Sequence, residues 1–157
     1  MPKKRLPLIL LLLMALLSCV SLTGCDPISI IGVSSSPPAT TTADTLKRMG
    51  RMAVAIRQDT SLMTAIENAP AAIIALPRDT ALTPDSLTPE GLRRHVVLAP
   101  LTGDGTYTSV AGTTWTVTGF PDQMKINGVP VRGCTPTLNR PGASSMSTNI
   151  CLLDRPL

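Results

Sequence analysis

Aromatic side chains and histidine are scarce in this chain, which has one Trp, one Tyr, one Phe and one His in 157 residues. Proteins that bind single-stranded nucleic acids usually stack bases on aromatic rings, and this chain has few rings for that purpose. A serine hydrolase needs a base beside its nucleophile, yet His95 is the only imidazole and no GxSxG motif is present. No phosphate-binding loop is present either. We therefore expect neither catalytic residues nor a cofactor.

The amino-terminal residues follow the pattern of a bacterial lipoprotein signal. A basic start at residues 3–5 precedes an apolar run at residues 8–17, and the lipobox Leu22-Thr23-Gly24-Cys25 follows. The run is shorter than the roughly 20 apolar residues of a membrane-spanning helix. We predict that residues 1–24 are a cleaved signal peptide and that Cys25 carries a diacylglycerol thioether and an acylated amino terminus. An ordinary secretory signal and a weaker lipobox ending at Cys19 are the alternatives.

Cleavage before Cys25 leaves a nearly neutral chain with 11 basic and 10 acidic residues. A nucleic-acid partner is not expected, because phosphate binding needs a concentrated basic surface. Residues 25–43 contain many Ser, Pro and Thr without an apolar period, and they predict a lipidated cysteine followed by a flexible tether. Residues 44–157 suit one domain. We expect this domain to be exported and lipid-anchored on the extracytoplasmic side of the cell membrane.

The cysteines fit an exported protein. With Cys19 in the signal and Cys25 lipidated, Cys134 and Cys151 remain, and we predict that they form a disulfide in an oxidising compartment. Two buried free thiols are the alternative. A metal site is not expected, because the chain has a single histidine and no closely spaced cysteine pair.

The first half of the domain has mainly helical patterns. Apolar residues between 46 and 56 recur at helical spacing and predict one helix, with Asp44 or a nearby threonine as its N-cap. Residues 59–69 predict a second helix, which ends before a proline. Residues 71–76 form a short apolar run that favours a buried strand, although a helical segment has the same pattern. Thr88-Pro89-Glu90 predicts the start of a brief helix, with threonine as the cap.

The second half has strand patterns. Residues 96–98 and 150–153 are short apolar strands, and residues 113–118 alternate as a half-buried strand does. Asn127-Gly128 between two such runs predicts a two-residue hairpin turn. Pro130 has no N–H to donate, so we expect it at a sheet edge or a bulge. Helices followed by strands predict an α+β fold.

The region from about 44 to 157 resembles a divergent fasciclin domain. Residues 75–82 (ALPRDTAL) resemble the first family block, which usually reads like FAPTDAAF, and residues 92–97 (LRRHVV) resemble the second block with its Tyr-His pair. Ile126-Asn127-Gly128 resembles the ING hairpin of the family, and residues 150–157 (ICLLDRPL) resemble its closing strand. The resemblance covers nearly the whole domain and implies N-terminal helices packed on a mostly antiparallel β wedge or sandwich.

The resemblance implies structural roles for six of the matching residues: Pro77, Asp79, His95, Asn127, Gly128 and Asp154. The chain also departs from the pattern. Leu82 replaces the usual phenylalanine, Arg94 replaces the usual tyrosine, and the segment 83–88 is shorter than in the family. We therefore expect local differences in loops and helices.

Individual side chains have simple structural interpretations. The family match puts His95 between a helix end and a strand, where its ring can bond to the backbone. Asp79 is expected to form an Asx bond to nearby backbone, and Asp154 is expected to pair with Arg155. Trp115 is either a core anchor or a surface contact, and the scarcity of large residues favours the core.

Lys47, Arg48 and Arg51, with Arg57 beyond them, form a basic cluster close to the tether. The cluster could contact anionic lipid or an envelope polymer, but balancing acidic residues favour a solvated helix face. The fasciclin resemblance implies a non-enzymatic adhesion or binding module with a protein or polysaccharide partner. The alternative is a carrier or sensor that holds a small apolar ligand between helices and sheet.

Overall fold

The computed structural model describes residues 40–157, which belong to one compact unit, Ala39–Leu157. The predicted signal peptide, Cys25 and almost all of the tether lie outside the described residues. The helices of the described part are α1 (Thr42–Leu46), α2 (Arg51–Gln58), α3 (Thr60–Asn68) and α4 (Pro89–Arg94), with short 3-10 turns at Asp79–Ala81 and Pro84–Leu87. The strands are β1 (Ala72–Pro77), β2 (Val96–Val97), β3 (Gly105–Thr108), β4 (Thr114–Thr118), β5 (Lys125–Ile126), β6 (Val129–Leu138) and β7 (Met146–Leu153).

Local capping residues define the helix starts. The side chains of Thr41, Asp59 and Thr88 each accept a hydrogen bond from a backbone N–H in the first turn of α1, α3 and α4, respectively. Each cap satisfies a donor that has no partner within its helix. The prediction of one helix between residues 46 and 56 is wrong, because Gly50 adopts a φ of 102° and separates α1 from α2.

The sheet has seven strands in the order β2-β1-β7-β6-β5-β4-β3. Strands β1 and β7 are parallel, and every other neighbouring pair is antiparallel. The two edges of the sheet approach each other: Val97 in the edge strand β2 forms an isolated bridge with Ser109, which follows the other edge strand, β3. The fold is therefore α+β, as the order of helical and strand patterns predicts.

Strand β1 separates two hydrophobic cores. All six of its residues are buried, because successive side chains point to opposite faces and both faces are covered. Ile74 packs with the helices, in a core that includes Ile56 and Ile66. Ile73 lies on the other face, in a core that includes Trp115 and Leu153. The side chains of this strand thus contribute alternately to the two cores.

The predicted hairpin is present between β5 and β6. Asn127 and Gly128 have φ values of 52° and 75°, and a type I′ turn requires positive φ at both positions. Pro130 follows in β6, an internal strand in which it pairs with Lys125 of β5, so the edge alternative is wrong. Pairing with β7 begins only at Val131, and a register irregularity lies between Val131 and Gly133, so Pro130 is next to an irregular part of the ladder, in line with the bulge alternative.

The chain joins the domain earlier than residue 44. Leu138 donates its N–H to the carbonyl of Thr40 over 3.2 Å. The buried hydroxyl of Thr42 donates to the carbonyl of Leu138 and lies 2.9 Å from the hydroxyl of Thr137. The last residues of the expected tether are therefore fastened to the carboxyl end of β6.

Candidate functional site

The carboxylate of Asp79 caps a helix that is distant in sequence. Its Oδ1 accepts a 2.8 Å hydrogen bond from the backbone N–H of Arg51, at the first residue of α2. The expected Asx bond to nearby backbone is replaced by this contact across 28 positions of the chain. Gly50 makes the approach possible, because a Cβ at Gly50 would lie 2.7 Å from Asp79 Oδ1.

His95 uses both ring nitrogens in backbone hydrogen bonds. Nδ1 donates to the carbonyl of Gly91 over 2.8 Å, and Nε2 accepts from the N–H of Leu157 over 3.1 Å. The second bond requires an unprotonated Nε2, so the ring is the neutral Nδ1–H tautomer. Burial lowers the pKa of His95 below its ordinary value, and the nearby charge of Arg94 acts in the same direction. The imidazole thus fastens the end of the described chain to α4.

Asp154 pairs with arginines from other strands. Its Oδ1 accepts a hydrogen bond from Nε of Arg132 in β6, and Nε of Arg78, just after β1, lies 3.4 Å away. The expected local pair with Arg155 is not formed in the described structure. Because Pro77 pairs with Leu153 in register, the first family-like block and the closing strand meet at this point.

The Asn127 side chain strengthens the hairpin. Its Oδ1 accepts from the N–H of Thr116 over 2.7 Å, and its Nδ2 donates to the carbonyl of Thr114 over 3.3 Å. Both bonds go to β4, the strand beside the hairpin. Asn127 and Gly128 therefore set the register of three strands.

The structure contains the predicted disulfide between Cys134 and Cys151, which face each other across β6 and β7. Cys151 is completely buried.

Trp115 is also buried, with 1% of its surface exposed, and its indole N–H donates to the carbonyl of Arg94 over 2.8 Å. The core interpretation of Trp115 is confirmed.

The structure brings three residues of the predicted basic cluster into one open groove. Lys47, Arg48 and Arg51 are exposed side chains along this groove, which has a volume of about 470 Å³. Arg57, although it is on α2, does not line it. We call this feature the basic groove; it is lined by Lys47, Arg48, Gly50, Arg51, Val54, Ala55, Gln58, Asp79 and Leu87.

A second surface feature was not found from the sequence. A cleft of about 290 Å³ contains Phe120, whose surface is 39% exposed, together with apolar residues such as Leu101 and Met124 and polar residues such as Asp122 and Arg132. The backbone N–H of Phe120 donates to Oδ1 of Asp104 over 2.8 Å. We call this feature the Phe120 cleft. It joins segments from β6, β7 and two loops, and no local sequence pattern signals such a junction.

Two further observations concern residues 40–157 alone. No group of three or more histidine, cysteine, aspartate or glutamate residues lies close enough to hold a metal ion. No helix there has the length and hydropathy needed to span a bilayer. For the whole chain, no protein-family model and no curated protein sequence matches.

Proposed function

We propose that the protein is a lipid-anchored component of the cell envelope whose folded domain is a non-enzymatic, fasciclin-like binding or adhesion module. One observation carries the proposal: a lipobox ending at Cys25 and a Ser/Pro/Thr-rich stretch precede a compact unit that begins at Ala39. Acylation of such a cysteine would hold an otherwise soluble domain at a bilayer.

The way the chain enters the domain supports this proposal. A tethered domain experiences any pull at its attachment point, which here is the contact of Thr40 and Thr42 with the end of β6. Strand β6 is cross-linked to β7 through Cys134 and Cys151. A pull on the tether would therefore act on a cross-linked pair of central strands rather than on a weakly held edge.

The use of the polar residues also supports a binding module. His95 bonds twice to backbone, Asp79 caps α2, and Asp154 forms ion pairs with arginines on two other segments. Each of these three side chains thus connects segments of the fold through hydrogen bonds or ion pairs. Because fasciclin-like proteins are adhesion modules, the resemblance of these positions favours a macromolecular partner, a protein or a polysaccharide.

The Phe120 cleft is the surface that we assign to this partner. Exposed aromatic side chains are enriched at the cores of binding interfaces. A second candidate function uses the same cleft, because its volume of about 290 Å³ could take a small apolar ligand. The two functions differ in what would occupy the cleft.

Anchoring is tested in cells that make the full chain. We expect an alkyne-bearing fatty acid to label the protein and the Cys25→Ser variant to remain unlabelled and leave the membrane fraction. A Cys19→Ser variant is the matched control and should behave like the wild type. Equal labelling of the Cys25→Ser variant would contradict the anchor.

Binding is tested by crosslinking capture from isolated envelope with the wild type, Phe120→Ser and Met146→Ser. Met146 is the matched control, since it is also apolar and exposed but does not line the cleft. We expect a saturable protein or polysaccharide partner that is lost only with Phe120→Ser. Native mass spectra that show a co-purifying lipid, displaced by Phe120→Ser, would favour the carrier instead.

A further inference from the structure

The lining of the basic groove combines cationic and apolar side chains. Lys47, Arg48 and Arg51 line it as exposed residues, and Val54 and Leu87 line it as partly buried ones. An inorganic anion would use the basic side chains alone. A phospholipid would use both kinds of side chain, because its phosphate can pair with the basic groups and its acyl-ester region can contact the apolar ones.

The charges of the groove are only partly compensated. Lys47 pairs with Asp44 over 2.8 Å, and Asp79, the other acidic group at the site, is bonded to the start of α2. Within residues 40–157, neither Arg48 nor Arg51 lies within ion-pair distance of a carboxylate. The groove therefore has one positive charge in excess and two guanidinium groups with donors available for phosphate oxygens.

The position of the groove along the chain indicates which anion it meets. Helix α1, which ends just before the groove residue Lys47, begins 17 residues after Cys25. A flexible tether of that length, as the sequence predicts, would have a root-mean-square span of about 20–25 Å. Stable membrane association commonly combines an acyl chain with a nearby basic surface. On the anchored protein, the basic groove is thus held within a few nanometres of lipid headgroups.

We infer that the basic groove docks on anionic phospholipid headgroups of the membrane that anchors the chain. This inference rests on the proposed function only for the identity of the membrane. Docking would orient the domain with α1 and the start of α2 towards the bilayer. The tether would then limit how far the domain can move from the membrane, and docking of the groove would set the orientation of the domain.

The test measures binding of residues 40–157 to vesicles, so that a lipid anchor is not required. This unit has its own cores and disulfide, and a cooperative melt confirms folding of each variant. We expect binding to vesicles of phosphatidylcholine with phosphatidylglycerol and little binding to phosphatidylcholine alone. Each basic side chain near an anionic surface contributes about five-fold, so Arg48→Gln/Arg51→Gln should weaken binding by about 25-fold.

Lys125→Gln/Arg140→Gln is the matched control, because it removes the same charge outside the groove. We expect it to bind nearly as the wild type does. Raising the salt concentration from about 0.1 M to about 1 M should abolish binding, as the screening length falls from about 10 Å to about 3 Å.

Equal loss in both double variants would show charge attraction that is not specific to the groove and would overturn the inference. Equal binding to neutral and anionic vesicles would also overturn it, as would binding to soluble polyphosphate without any binding to vesicles. None of these results bears on acylation of Cys25, which fatty-acid labelling tests separately.

Discussion

The contact between Gly50 and Asp79 gives the sharpest test of how the helices are held. Gly50 has a φ of 102° and a ψ of −178°, a region of backbone conformation that is almost restricted to glycine. In addition, a Cβ at this position would lie 2.7 Å from Oδ1 of Asp79, closer than ordinary contact allows. Gly50→Ala should therefore both strain the backbone and displace the carboxylate that caps α2.

The two effects have different magnitudes. Backbone strain at a glycine-only conformation costs about 3 kcal/mol, and loss of an N-cap costs about 1 kcal/mol. Gly50→Ala should then destabilise the domain by about 4 kcal/mol and Asp79→Ala by about 1 kcal/mol. Once Asp79 is alanine, Gly50→Ala has no cap left to displace and should cost only about 3 kcal/mol.

A double-mutant cycle measures this difference of about 1 kcal/mol. Urea unfolding can be followed by the fluorescence of Trp115, the only tryptophan, which is buried in the folded domain. Asp79→Asn is the control, because it keeps a side-chain oxygen and should retain most of the cap. If Gly50→Ala costs the same with and without the Asp79 side chain, the proposed displacement of the cap is refuted.

The remaining predictions concern the histidine, the disulfide and the tryptophan. Burial lowers the pKa of His95 in the folded state, so as the pH falls the imidazole is protonated in the unfolded chain before it is protonated in the folded one. The free energy of unfolding should therefore decrease as the pH drops below about 6.5. Urea midpoints between pH 8 and pH 5 measure this fall, which should be smaller in His95→Gln; an unchanged slope would contradict it. Replacing Cys134 and Cys151 by alanine should cost about 3 kcal/mol, given their separation of 17 residues, and thermal unfolding without loss would oppose this estimate. Trp115→Phe removes the hydrogen bond to the carbonyl of Arg94 and should cost about 1–3 kcal/mol by circular dichroism, whereas a neutral effect would show that the bond contributes nothing.

Signals carried by adjacent residues predicted the fold well. Thr88-Pro89 marks the start of α4, Asp59 caps α3, and Asn127-Gly128 forms the turn, because each acts within about three residues of the backbone that it controls. The apolar run at residues 71–76 also predicts β1 to within one residue. The α+β class followed from the order of these local signals.

Interactions between distant residues were not predictable in this way. Asp79 has the sequence context of a turn residue, and only the fold brings it to α2. Asp154 could reach Arg155 locally, but strand pairing offers it Arg132 instead. Strand β3 escaped detection because its four residues are mostly exposed and lie next to glycine, so that they have no apolar alternation.

The residues that carry the family resemblance and the residues that face solvent have separate tasks in this domain. Asp79, His95 and Asp154 connect segments of the fold through their side chains, so substitutions there should act first on stability. The exposed side chains of Phe120 and Arg48 have no such connections in the described structure and are free to meet a ligand. Binding should depend on the exposed side chains of the two surface features, so substitutions of Phe120, or of Arg48 and Arg51, should change binding while leaving the urea midpoint nearly constant.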